Sequence, residues 1–197
     1  MALPKLTTPT YELEVPSTDE KIKYRPFLVR EEKILLIALE SGESEDIITA
    51  IKDIVTECTY GKIDLGKIPM FDVEYIFLNI RAKSVGEVST LKLLCPDDKE
   101  TYVNVDIDLS EIMVQVDKGH NPKIELTDEM GMIMTYPNID SLSATGVTDI
   151  TADNMLDVIS ACILQIYDKK GEEVFETKDQ TKKEISEFVE SLNTKQF

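Results

Sequence analysis

Tyr102-Val103-Asn104-Val105-Asp106-Ile107-Asp108-Leu109 alternates polar and apolar residues without a break, the cleanest period of two in the chain. Side chains on a strand point to opposite faces in turn, so this run is a strand with one apolar and one acidic face. Just before it, Leu91, Leu93 and Cys95 alternate with Thr90, Lys92 and Leu94, and Pro96-Asp97-Asp98-Lys99-Glu100 supplies a polar turn between the two runs. The pair is predicted to be an antiparallel hairpin packed on one side only. Ile112, Val114 and Val116 continue the alternation, Gly119-His120-Asn121-Pro122 interrupts it, and Ile124 with Leu126 resumes it. Residues 87–136 are therefore expected to form an antiparallel β-meander of four or five strands.

Towards the N-terminus the period lengthens. Pro4, Pro9 and Pro16 hold the start extended, and Tyr11–Val15 and Lys21–Arg25 alternate on either side of a turn-rich link, which reads as a second hairpin. Arg30 to Glu40 reads as a helix stopped at Ser41-Gly42; its centre, Ile34 to Leu39, is apolar all round and is expected to be buried on most sides. Ser44 reads as the N-cap of a second helix, with Glu45 and Asp46 in its first turn and Ile47, Ile48, Ile51, Ile54, Val55 and Cys58 on one stripe. A third is predicted over 72–84, with Val73, Ile76, Phe77 and Ile80 on one side and Gly86 beyond its end.

Beyond residue 136, Thr151 is placed to cap a helix whose face is Met155, Leu156, Ile159, Cys162, Ile163 and Ile166. Lys169-Lys170-Gly171 reads as a turn and Val174-Phe175 as a short strand. Thr181-Lys182-Lys183-Glu184 has the form of a capping box before Ile185, Phe188, Val189 and Leu192. The expectation is an α+β fold: an N-terminal β-hairpin and small helical bundle (1–86), a central antiparallel β-meander (87–136) and C-terminal helices (137–197), as three regions or as one compact domain.

The chain has 197 residues with 21 basic and 38 acidic side chains, a formal charge of −17, and residues 97–157 alone carry 14 acidic against 3 basic groups. Such a charge balance argues against binding a phosphate backbone or an anionic membrane surface, and it can steer a basic partner. No apolar run approaches the length of a membrane span, and Met1–Lys5 lacks the basic-then-apolar pattern of a secretory leader. The three cysteines, Cys58, Cys95 and Cys162, are odd in number and widely spaced, which points to reduced thiols in a cytoplasmic protein.

Little in the sequence suggests catalysis. His120 is the one histidine, it sits in a turn-forming tetrapeptide, and no nucleophile motif stands beside it. No phosphate-cradling glycine motif occurs. Asp106, Asp108 and Ser110 open like a calcium loop, but Glu111 stands where that loop needs glycine, and strand alternation already explains both aspartates. Cys95 has Asp98 where a zinc knuckle would carry its second thiolate. No catalytic residue, cofactor or metal site is expected. Met130, Met132 and Met134 form an adaptable apolar strip that reads as a core strand or, at Met132 and Met134, as a partner contact.

Two blocks are distinctive: Tyr24-Arg25-Pro26-Phe27-Leu28-Val29-Arg30-Glu31-Glu32-Lys33, and Phe71–Leu78 leading into Arg81-Ala82-Lys83-Ser84-Val85-Gly86-Glu87. With Pro9-Thr10-Tyr11-Glu12-Leu13 and Pro16-Ser17-Thr18, in this order and spacing, the chain resembles the T4-type bacteriophage baseplate hub assembly family, strongly over residues 3–110 and in overall layout beyond. Some relatives carry Cys-x-x-Cys at the hairpin base, where this chain has only Cys95. The resemblance implies a non-enzymatic tail-assembly protein of a contractile-tailed phage, acting in hub formation in the host cytoplasm through contacts with other hub or tail proteins. A chaperone-like factor, a minor hub component and a stoichiometric subunit of the virion baseplate all fit it. A metal-assisted hydrolase using Asp106, Asp108 and His120 is the distant alternative. Arg25, Phe27 and Arg30 at the hairpin-to-helix junction, and Arg81 with Lys83 at a helix end, are the partner contacts expected, alongside Met132 and Met134.

Overall fold

The computed structural model of the protein describes residues 6–146, 151, 153–168, 173–194 and 196. The fold is α+β, and the chain divides into two compact units, 1–115 and 116–197.

In the first unit, β1 (Tyr11–Glu14) and β2 (Lys21–Tyr24) pair antiparallel from Tyr11↔Tyr24 to Glu14↔Lys21. Pro26 cannot continue the ladder, and the chain turns into α1 (Val29–Ser41), which ends at Gly42 in the left-handed conformation (φ 73°) that glycine adopts without strain. α2 (Ser44–Cys58) and α3 (Met70–Val85) follow. Ser44 is the first helical residue, with Glu43 in the capping position, rather than the cap itself. Ile54, Val55 and Cys58 of α2 and Val73, Ile76 and Ile80 of α3 are fully buried and make the core of this unit, on the stripes expected from their spacing.

α1 departs from expectation. Only Glu31 and Ala38 are buried along it, while Ile34, Leu36, Ile37 and Leu39 are exposed. An all-round apolar helix signals that something covers it, and within this chain α2 covers one side.

β3 (Val88–Leu94) and β4 (Tyr102–Asp108) pair along their whole length, from Val88↔Asp108 to Leu94↔Tyr102, and form a sheet of their own. Asp98 holds the connecting turn by accepting hydrogen bonds from the amides of Glu100 and Thr101, 3.0 Å each, and from the Thr101 hydroxyl. A 3-10 turn at Leu109–Glu111 follows, and residues 112–117 form no strand, so the alternation of Ile112, Val114 and Val116 adds nothing to the sheet. The expected packing is also absent: Leu91 and Leu93, directly opposite Val105 and Val103, are all exposed.

The second unit holds the other strands. β5 (Lys123–Glu125), β6 (Met130–Met134), β7 (Ile163–Asp168) and β8 (Val174–Glu176) form a four-stranded antiparallel sheet in chain order. The meander therefore exists, but it joins strands from both sides of residue 136 and excludes the β3–β4 hairpin. α4 (Ile139–Thr145) starts at an Asn138–Ser141 capping box, and α5 (Met155–Cys162) and α6 (Lys182–Glu190) complete the unit. α5 begins after Asn154 rather than Thr151 and stops before Ile163, so Ile163 and Ile166 belong to β7 and not to a helix. The β6–β7 register slips between Ile133 and Met134, leaving Leu164 unmatched. An extra residue in one strand shifts its alternation. Ile163 and Ile166 thereby both reach the core of Leu126, Met132, Ile163 and Val189, and their spacing of three imitates a helix. Thr181 and Glu184 form the expected capping box on α6. The turn read at 169–171 lies outside the described residues.

Candidate protein-interaction surface

The β2–α1 junction is built on a buried carboxylate. The Arg25 amide donates to the Cys58 carbonyl (3.0 Å), which ties the end of β2 to the end of α2. The Arg25 side chain turns inward and is 7% exposed; its guanidinium donates to the Pro26 carbonyl (3.0 Å) and to both Glu31 oxygens (3.1 and 3.4 Å). Glu31, 2% exposed, also accepts from the Leu28 amide (2.6 Å), one of the orphan donors at the start of α1, and from Arg30 Nε. Burial by itself would raise the Glu31 pKa, but the hydrogen bonds from Arg25, Arg30 and the Leu28 amide override it and hold the carboxyl at about 2. Nearby, burial pushes the Cys58 thiol up to about 11, which leaves it inert.

The sequence-derived contact residues thus separate. Arg25 holds the junction from inside. Arg30 lies on the outer side, its side chain 65% exposed, and reaches Glu57 (3.5 Å). Phe27 is half-buried, and its amide donates to the Ser84 hydroxyl of α3 (2.9 Å). Lys83 is ion-paired with Glu87 one turn on and lies over the Tyr11 ring, 5.5 Å from its centre, while half-buried Arg81 has no ion-pair partner among the described residues. Met132 packs in the core of the second unit with Met134 half-buried beside it, so the core-strand reading describes where both lie.

The residues proposed for metal-assisted chemistry have other occupations. Asp106 accepts from the Thr90 hydroxyl across the hairpin (2.6 Å), and Asp108 caps the turn after β4 through the Ser110 amide (2.9 Å) and hydroxyl (2.6 Å). The His120 ring stacks on Tyr136 at 5.1 Å. Among the described residues, no group of three or more His, Cys, Asp or Glu side chains is placed to hold a metal ion.

Two surfaces missed as interfaces by residue type stand out by exposure: the outer face of α1 and the apolar face of the β3–β4 hairpin. The hairpin carries its signal as a period-two apolar face and α1 as an apolar surface all round, and both equally predict a core within the chain. Asp97, Asp98 and Glu100 lie in the turn that closes the hairpin beyond these apolar pairs. Apolar faces of this kind, on regular elements and rimmed by charge, mark protein–protein contact sites.

An α+β protein with uncovered apolar faces has the form of an assembly component, one that completes its packing against other chains. This chain belongs to the T4 bacteriophage base plate protein family, whose sequence model matches residues 8–197. Its role is that of a phage baseplate structural or assembly protein. No curated protein and no solved structure matches it, and no described helix is long and apolar enough to cross a membrane.

Proposed function

We propose that the protein acts in forming the baseplate hub without catalysing a reaction, as a chaperone-like factor or minor hub component made in the host cytoplasm. It binds other hub or tail proteins through the apolar face of the β3–β4 hairpin, with the β2–α1 junction around Phe27 and Arg30 as a second contact. The observation that carries this reading is the exposure of Leu91, Leu93, Val103 and Val105 on the long hairpin in a member of a baseplate family. Burying those side chains against a partner supplies association energy, and the acidic tip favours a partner with a basic rim.

The test is affinity capture of the tagged protein from infected cells, with wild type beside Leu93→Lys/Val103→Glu. Identified baseplate or tail proteins are expected with the wild type and are lost with the variant, whose hairpin is retained because the two directly opposed positions then carry opposite charges. Equal capture by both would reject the hairpin as the contact. Mass spectrometry of purified particles separates the remaining roles: stoichiometric peptides mean a virion subunit, and their absence means a transient factor.

A further inference from the structure

From the outer face of α1 we infer that the protein pairs with a second copy of itself, the two α1 helices crossing antiparallel about a two-fold axis near Leu36 and Ile37. This goes beyond the hub reading and does not depend on it. Val29, Lys33, Leu36, Ile37 and Glu40 follow the spacing i, i+4, i+7, i+8, i+11 and form one stripe, on the side of the helix away from buried Glu31 and Ala38. All five are exposed, Val29 at 80%, Leu36 at 54% and Ile37 at 56%. Uncovered apolar side chains along one helix stripe are the kind of surface that marks a protein contact site.

Charge selects the occupant. The chain as a whole carries −17, so a second copy is repelled by most of its surface. The α1 stripe is different: it holds one cation, Lys33, and one anion, Glu40, and neither has an ion-pair partner among the described residues. Lys33 and Glu40 lie about one helical turn to either side of the midpoint between Leu36 and Ile37. A two-fold axis through that midpoint sets Leu36 against Ile37 of the other copy. It also sets Lys33 against the other copy's Glu40, twice over. An isologous contact needs such self-complementarity, in which residue i meets j and j meets i. A parallel arrangement would set Lys33 against Lys33 and Glu40 against Glu40.

The test is analytical ultracentrifugation of the full chain over a concentration series at physiological salt, where charge beyond about 8 Å is screened. Wild type is expected to dimerise reversibly. Lys33→Glu and Glu40→Lys, each of which turns both cross-pairs repulsive, are each expected to weaken the dimer roughly tenfold. Mixing the two variants one to one restores it, because each supplies the charge the other lacks. Glu40→Lys lowers the net negative charge, so a dimer governed by overall repulsion would tighten; here it loosens. Lys62→Glu, an exposed change of equal charge outside α1, leaves the dimer unchanged. A wild type that stays monomeric throughout overturns the inference. So does a dimer indifferent to Lys33 and Glu40, or a mixture that fails to recover.

Discussion

Replacing Glu31 by Gln is expected to destabilise the first unit by about 3 kcal/mol at neutral pH, and the loss should fade in acid. The magnitude follows from linkage. Glu31 has a carboxyl pKa of about 2 in the folded protein against an ordinary 4.5. A depressed folded-state pKa gives stability that is fully present above the unfolded value and is lost as pH falls from 4.5 towards 2. At about 1.4 kcal/mol per unit, the contribution at pH 7 is about 3 kcal/mol, and roughly half of it remains at pH 3. An independent argument reaches the same size: Gln keeps an acceptor but leaves the Arg25 guanidinium buried without its counter-charge, and breaking a buried pair costs about 3–5 kcal/mol. The assay is urea unfolding of wild type and Glu31→Gln followed by helical circular dichroism at a series of pH values from 7 to 3. Taking the difference between the two proteins removes the titration of every other group. A difference that stays constant with pH, or that is below about 1 kcal/mol at pH 7, would refute the account of Glu31 as the charged keystone of the β2–α1 junction.

Asp72, fully buried at the start of α3, titrates with the opposite sign: burial pushes its pKa above the ordinary 3.8, with the Ser17 hydrogen bonds opposing in part, so its contribution is present in acid and is lost as pH rises. Asp72→Asn, which keeps an acceptor for Ser17, should have a Tm at pH 7 no lower than wild type; a large drop there would show that the charged form is the stabilising one. Gly131 faces Tyr167 across the β6–β7 pair so closely that a Cβ would run into the tyrosine hydroxyl and ring. Gly131→Ala is expected to cost the second unit about 1–3 kcal/mol in denaturant unfolding. Tyr167→Phe, which removes a buried hydroxyl that has no hydrogen-bond partner among the described residues, should cost nothing measurable.

Local signals in the sequence were legible where local physics decides. Thr181 and Glu184 satisfy each other's backbone donors within one turn, and Gly42 ends α1 because glycine tolerates a positive φ. The stripes on α2 and α3 and the β3–β4 hairpin follow from hydrophobic period alone. Contacts decided elsewhere were not legible. Nothing near Ile163 announces that β6, about thirty residues earlier, will pair with it, or that the bulge at Leu164 will give a strand a helical spacing. Arg25 illustrates the same limit at the candidate site. Its residue type suggests an exposed anchor, but Glu31, six positions on, draws it inside.

What the amino-acid sequence determined by itself was the two hairpins of the first unit, the stripes of α2 and α3, the capped start of α6, the α+β class, the acidic balance and the faces that need cover, because propensity, capping and periodicity act between neighbours along the chain. Only the tertiary structure decided which of those faces the chain covers for itself. Burial is a contest among all surfaces at once: α2 and α3 find each other, while α1 and the β3–β4 hairpin are left facing outward, available to other molecules.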